Sequence, residues 1–232
     1  IANSILERIP EDRKLVKMWQ PRDEEGSVHR VTDIEDIPLN QGTWLILGRT
    51  HSKLQSLRES IEERGIYYEY KNRKSYNERL FRNILNYERW REGTLLSITE
   101  CKDLFEFLNK EFNHTDERLY DLKEFGYSVT QIWYEVFETH PEESLYIRLM
   151  RQNGEELSKP ARVKLSTMHA AKGGEADNVL LVLDNTKKIR EAVDKDQDKR
   201  DEEHRVWYVG VTRTKQNLYI MEAKQERNGY DI

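Results

Sequence analysis

The sequence predicts an α/β domain, a parallel sheet flanked by helices, with a mainly helical subdomain inserted into it. Three observations carry this. Thr43 to Gly48, TWLILG, is a short unbroken apolar run of the kind found in a strand buried on both faces. Leu54, Leu57 and Ile61 then recur at helical spacing, Gly65 supplies a stop, and Ile66 to Tyr70 reads as the next strand, which makes a strand, helix, strand unit. Between 74 and 158 strand signals become scarce, while Leu80, Ile84, Tyr87 and Trp90, then Leu104, Phe107 and Leu108, then Ile132, Trp133 and Val136 repeat at helical spacing. The expected division is 1–73 and 159–232 for the α/β domain and 74–158 for the insertion.

The remaining elements follow in order. Ile5, Leu6, Ile9, Leu15, Val16 and Trp19, broken by Pro10 and Pro21, indicate short helical or irregular pieces, and Asp23 to Gly26 a turn. Ser27 to Val31 alternates as a strand, and Asp33 to Leu39 is a short helix closed by Pro38. The charged run Lys187 to Glu203 has the character of a solvated loop entering a helix.

Composition sets the class. Of 232 residues, 37% are hydrophobic and 35% charged, and 12 Tyr and 5 Trp are too many aromatics for a disordered chain. The net charge of -5 provides no global positive field, so any nucleic-acid contact must come from a local patch. The single cysteine, Cys101, excludes an internal disulfide and a cysteine metal cluster and fits a reducing compartment. No apolar run approaches the roughly 20 residues that cross a bilayer, and the N-terminus lacks a signal-peptide pattern, so no membrane is expected and the cytoplasm is the expected location. The start at Ile1 rather than Met suggests a piece of a longer polypeptide.

Two stretches carry candidate chemistry. In VKLSTMHAAKGGEADNVLLVLD, 163–184, two strands are joined by a polar loop. That arrangement puts Thr167, His169 and Lys172 beyond a strand's C-terminal end, where open α/β sheets bind ligands. Gly173 and Gly174 can adopt positive φ and admit close backbone approach. The alternative is a solvated turn with an ordinary histidine, and Asp184 lacks the adjacent acid of a nucleotidase strand. In DEEHRVWYVGVTRTKQNLYIM, 201–221, Asp201, Glu202 and Glu203 open a helix whose buried side is Val206, Trp207, Val209 and Val211. Gly210 inside it costs about 1 kcal/mol relative to Ala, so a close neighbour is expected there. Arg213 emerges near the helix end before the strand Asn217 to Met221, either as a functional cation or as a surface charge complementing the helix dipole. Tyr87, Trp90, Trp133 and Tyr134 could stack on bases, but their helical spacing favours a core role.

Together these two stretches resemble the last two signature motifs of the superfamily-one helicases of the UvrD/Rep/PcrA type, and TWLILGRT resembles the motif that opens the same domain. The three occur in order, with a helical insertion between the first and second, and span nearly the whole chain. The resemblance implies the second RecA-like (P-loop NTPase-like) domain of an ATP-dependent DNA helicase that travels 3′ to 5′ on single-stranded DNA. It also implies ATP with Mg2+ in the cleft against the N-terminal RecA-like domain of the same protein. By the family pattern Arg49 and Arg213 would reach the γ-phosphate, where a guanidinium offers a planar fork of donors and a permanent charge. Glu175 would accept from the ribose, Thr167 and His169 would touch DNA, and Lys172 with Gly173 and Gly174 would link that contact to the nucleotide.

The chain departs from the pattern at His51, Gly174, Ala176 and Thr214. It also has no G-x-x-x-x-G-K-[ST] loop and no apolar strand ending in Asp-Glu, so the phosphate cradle and metal site would lie elsewhere, and the chain alone is expected not to hydrolyse ATP. A noncatalytic helicase-like module for DNA binding or protein docking is the competing expectation.

Overall fold

A computed structural model describes residues 1–14, 24–171 and 173–232. Leu15, Val16, Trp19, Pro21, Asp23 and Lys172, all named above, lie outside the described residues. In chain order the elements are α1 (Ala2–Glu7), β1 (Ser27–Val31), β2 (Trp44–Gly48), α2 (His51–Glu63), β3 (Tyr68–Tyr70), β4 (Arg73–Lys74), α3 (Glu78–Arg91), α4 (Ile98–Phe107), α5 (Trp133–Val136), α6 (Pro141–Gln152), β5 (Val163–Thr167), β6 (Ala176–Val182), α7 (Lys187–Lys195), α8 (Gln197–Val211) and β7 (Thr214–Met221). They form two compact units, Ile1–Arg73 with Glu156–Ile232, and Lys74–Glu155.

The first unit holds a sheet of order β1-β7-β6-β2-β5-β3-β4. Its pairs β1–β7, β7–β6, β6–β2, β2–β5 and β5–β3 are all parallel. Strand β2 at the centre shows why TWLILG needs no polar face. Trp44 and Ile46 enter a cluster with Leu54, Leu57 and Ile61 of α2, while Leu45 and Leu47 enter a second cluster with Trp207 and Val211 of α8. Helix α2 ends where Gly65, at φ 63°, turns the chain, with Gly65 N–H donating to Glu62 at 2.9 Å and Ile66 N–H to Ile61 at 3.1 Å.

Two expectations need correction here. Asp33 to Leu39 contains only the 3-10 turn Ile34–Asp36, because the segment's extended flanks carry Ile37 and Leu39 into the core. The run Lys187 to Glu203 is not a loop but α7 and the first half of α8. Thr186 caps α7 by accepting from Ile189 N–H, and Asp196 caps α8 by accepting from Asp198 N–H at 2.8 Å. Lys, Arg and Glu are good helix formers, so each run needs only its capped start to become a helix.

The second unit is helical. Tyr87, Trp90 and Trp133 are buried in it, and Trp90 donates its indole N–H to Asp121 at 2.8 Å. Of the four aromatics considered for base stacking only Tyr134 is open, at 38% exposure, and the Arg148 guanidinium lies 4.3 Å from its ring centroid. Asp103 on α4 ties the unit together, accepting from Arg79 (2.5 Å), Arg82 (2.8 Å) and Asn83 (2.7 Å). Burial opposes its ionisation, but the hydrogen bonds from Arg82, Asn83 and Arg79 prevail and hold its pKa down to about 2, against an ordinary 3.8. A depressed carboxylate stabilises the fold above its unfolded pKa, and that stability disappears as pH falls through the folded value. Asp103→Asn should therefore cost about 1–2 kcal/mol at neutral pH, and its deficit relative to wild type should vanish toward pH 2. Urea titrations across that range measure it. Among the described residues no helix is long and apolar enough to cross a membrane.

Candidate functional site

All of the sequence-predicted site residues that the structure describes belong to the first unit. The register pairs Gly48 with Thr167, and Met168 N–H donates to Gly48 C=O at 3.1 Å, so β2 and β5 end side by side. Gly48 suits this position, because a Cβ would stand 2.9 Å from the buried Leu54 side chain and force it to shift. Arg49 and the turn after β5 thus leave the sheet's carboxyl edge as neighbours.

Thr167 is buried and folds that turn. Its C=O accepts from Ala170 and Ala171 N–H, both at 3.0 Å, and its hydroxyl accepts from Ala170 N–H at 3.4 Å. Met168 turns inward, and His169 is exposed beside Arg49, whose Nη1 lies 3.3 Å from His169 Nδ1. The same guanidinium gives its Nε–H to Glu203 on α8, 3.1 Å from Oε1 and 2.9 Å from Oε2. Glu203, 3% exposed, also accepts the Trp207 indole N–H at 2.7 Å, and Trp207 stacks on Tyr230 with centroids 4.6 Å apart.

The acids that open motif 201–221 therefore do different work from that expected. They sit in the second turn of α8 rather than at its start, and two of them face inward. Asp201, fully buried, accepts from Arg13 Nε at 2.5 Å and from Gln197 at 2.7 Å, while Glu203 binds Arg49. Only Glu202 is solvent-exposed. Gly210 has the close neighbours anticipated: an added Cβ would be 3.2 Å from Leu181 and 3.4 Å from Met168.

At the other edge of the sheet stand Glu175 and Arg213, directly before β6 and β7. Ala176 pairs with Thr214, and Ala176 N–H donates to Arg213 C=O at 3.2 Å. Arg213 gives its Nε–H to Val209 C=O at 3.0 Å and Nη2–H to Thr212 Oγ1 at 3.1 Å. Both acceptors are neutral, and among the described residues no carboxylate forms an ion pair with Arg213. Gly173, at φ 89°, has open space around it, and Gly174 could accept a Cβ 3.5 Å from Ala171 C=O. The structure therefore groups Arg49, Thr167 and His169 at one edge and Glu175 with Arg213 at the other. The main chain of Arg49 is separated from that of Arg213 by the length of β6, roughly 20 Å at strand rise.

Sequence reasoning missed Glu203 as the partner of Arg49, since the two lie far apart in sequence and nothing local marks the pairing. The spacing Glu203 to Trp207, one helical turn, was visible and is the signal that could have pointed inward. Asp184 beyond β6 accepts from Lys53 Nζ at 2.8 Å, and its Oδ1 is buried with no hydrogen-bond partner among the described residues. Among those residues no group of three or more His, Cys, Asp or Glu could hold a metal ion. The Arg213 guanidinium is by its chemistry a donor to anions, and among the described residues no donor set for Mg2+ is assembled.

A family profile described as the UvrD-like helicase C-terminal domain matches residues 97–225. The DNA helicase II of Rickettsia typhi is 40% identical over 73 residues, covering 30% of this chain and 11% of that protein. A probable DNA helicase II homolog of Rickettsia conorii is 38% identical over 76 residues, again 30% of this chain and 11% of the relative. The chain thus matches about a tenth of the length of these curated relatives.

Proposed function

From its membership of the UvrD-like helicase C-terminal domain family, with the parallel α/β sheet of a RecA-like fold, we propose that the chain is the second motor domain of an ATP-dependent translocase on single-stranded DNA. The observation that carries this is Arg213, a guanidinium held in place by two neutral acceptors and neutralised by no described carboxylate, with Glu175 beside it along the sheet edge. Such a cation is set up to meet an anion that comes from outside the unit.

ATP, when bound, supplies the phosphoryl group, and its Mg2+ would be held mainly by the N-terminal RecA-like domain. Arg213 would place its fork of donors against the charge that grows on the transferred oxygens. Glu175 would accept from the ribose, with Lys172, Gly173 and Gly174 completing that side. His169, exposed at the tip of the carboxyl-edge turn, would donate to DNA, and the buried Thr167 would shape the turn that presents it. Arg49, at the opposite strand ends from Arg213, would not share its γ-phosphate; its Nη2, without a hydrogen bond to any described residue, would instead meet a phosphate oxygen of the DNA beside His169.

The test compares the isolated chain with the complete protein. The isolated chain should show no ATP turnover, and the complete protein should hydrolyse ATP faster with single-stranded DNA than without. Turnover by the isolated chain would contradict its assignment as a second motor domain that needs a partner domain for hydrolysis. A complete protein that binds DNA without DNA-stimulated hydrolysis would be the noncatalytic module instead.

A further inference from the structure

Glu203 is a buried carboxylate for which the proposed mechanism has no use, yet it receives three hydrogen bonds. Arg49 Nε reaches both of its oxygens, and Trp207 fixes one of them from the next turn of α8. This directs the guanidinium: with Nε occupied, Nη1 is aimed at His169 Nδ1, 3.3 Å away. Arginine has only donors, so Nδ1 must accept, and the imidazole must carry its proton on Nε2. The exposed ring then presents an N–H outward. With the other neutral tautomer, two N–H groups would point at each other.

We propose that Glu203 is a positioning residue that acts through Arg49 to hold His169 as its Nε2–H tautomer, so that the carboxyl edge offers DNA a fixed hydrogen-bond donor. The relay joins three elements that contribute one residue each, the end of β2, the turn after β5 and the middle of α8. Arg213 follows two residues after α8 ends and gives its Nε–H to Val209 C=O in the last turn, so the helix that carries Glu203 also anchors the residue proposed for the γ-phosphate. The tautomer assignment rests on geometry alone, and its effect on DNA rests on the function proposed above.

The experiment reads the ring nitrogens of His169 by 15N NMR in this chain, with His169→Ala identifying its signals among the six histidines. Wild type should show the Nε2–H form, and Glu203→Gln, which keeps an acceptor for Trp207 but loses the charge that grips Arg49, should show a mixture of tautomers. Arg49→Lys, at the rim of the site, gives the same readout should Glu203→Gln not fold. An Nδ1–H signal in wild type, or an unchanged spectrum in either folded variant, overturns the proposal. In the complete protein, Glu203→Gln should weaken single-stranded DNA binding in proportion to the Nε2–H fraction lost, about twofold for an equal mixture of tautomers. The double variant with His169→Ala should bind no more weakly than His169→Ala alone, as expected for residues acting in one path; additive losses overturn the relay. Complete protein that fails to bind DNA while the tautomer result holds would remove the functional reading and leave the positioning intact.

Discussion

Arg213→Ala in the complete protein is expected to lower ATP turnover by about 10³- to 10⁵-fold, the range for a lost arginine finger, while single-stranded DNA affinity stays nearly constant. The reasoning starts from what the side chain lacks. Val209 C=O and Thr212 Oγ1 orient the guanidinium without neutralising it, so its charge remains for a phosphoryl group. Removal should leave the fold intact, because both acceptors lie within the same helix end and can take up water. Arg213→Lys should recover only a small part of the rate, since an ammonium keeps the charge but cannot span two oxygens. Steady-state hydrolysis at saturating DNA, with DNA binding by anisotropy as the control, makes the measurement. Turnover within a few-fold of wild type would withdraw Arg213 from the nucleotide.

The largest loss of stability is expected from Trp207→Ala. The indole is fully buried, stacked on Tyr230 at 4.6 Å and 9° and packed in the cluster that includes Leu181, Leu183 and Ile220. Truncating a buried tryptophan typically costs 3–5 kcal/mol, and here Glu203 also loses one of its two donors, keeping only Arg49. Urea denaturation of this chain should show a clearly lower midpoint. Trp207→Phe keeps most of the volume but not the N–H, so the difference between the two variants separates packing from the hydrogen bond. A loss below about 1 kcal/mol for Trp207→Ala would mean that the cavity collapses at little cost.

Much of the sheet was legible because its cues are local. TWLILG lacks a polar face, and β2 is buried on both sides; Gly65 stops a helix that ends two residues earlier; Gly210 announced a close neighbour that proved to be Leu181 and Met168. Charge density misled at Lys187 to Glu203, because charged residues mark solvent and helix alike, and it was the caps at Thr186 and Asp196 that decided. The two later motif stretches fall within the family match over 97–225, whereas TWLILGRT lies outside it.

By itself the sequence determined which residue types are present, how they are spaced along each element, and therefore the α/β class, the helical insertion and the family. Only the tertiary structure decided what those residues touch. It buried Thr167 inside a turn, turned Asp201 and Glu203 inward onto arginines, and placed Arg49 and Arg213 at opposite edges of one sheet. The physical reason is that periodicity records the side of an element that meets the core, whereas an ion pair such as Arg49 with Glu203 depends on two distant segments arriving at one point in space, and no local pattern encodes that arrival.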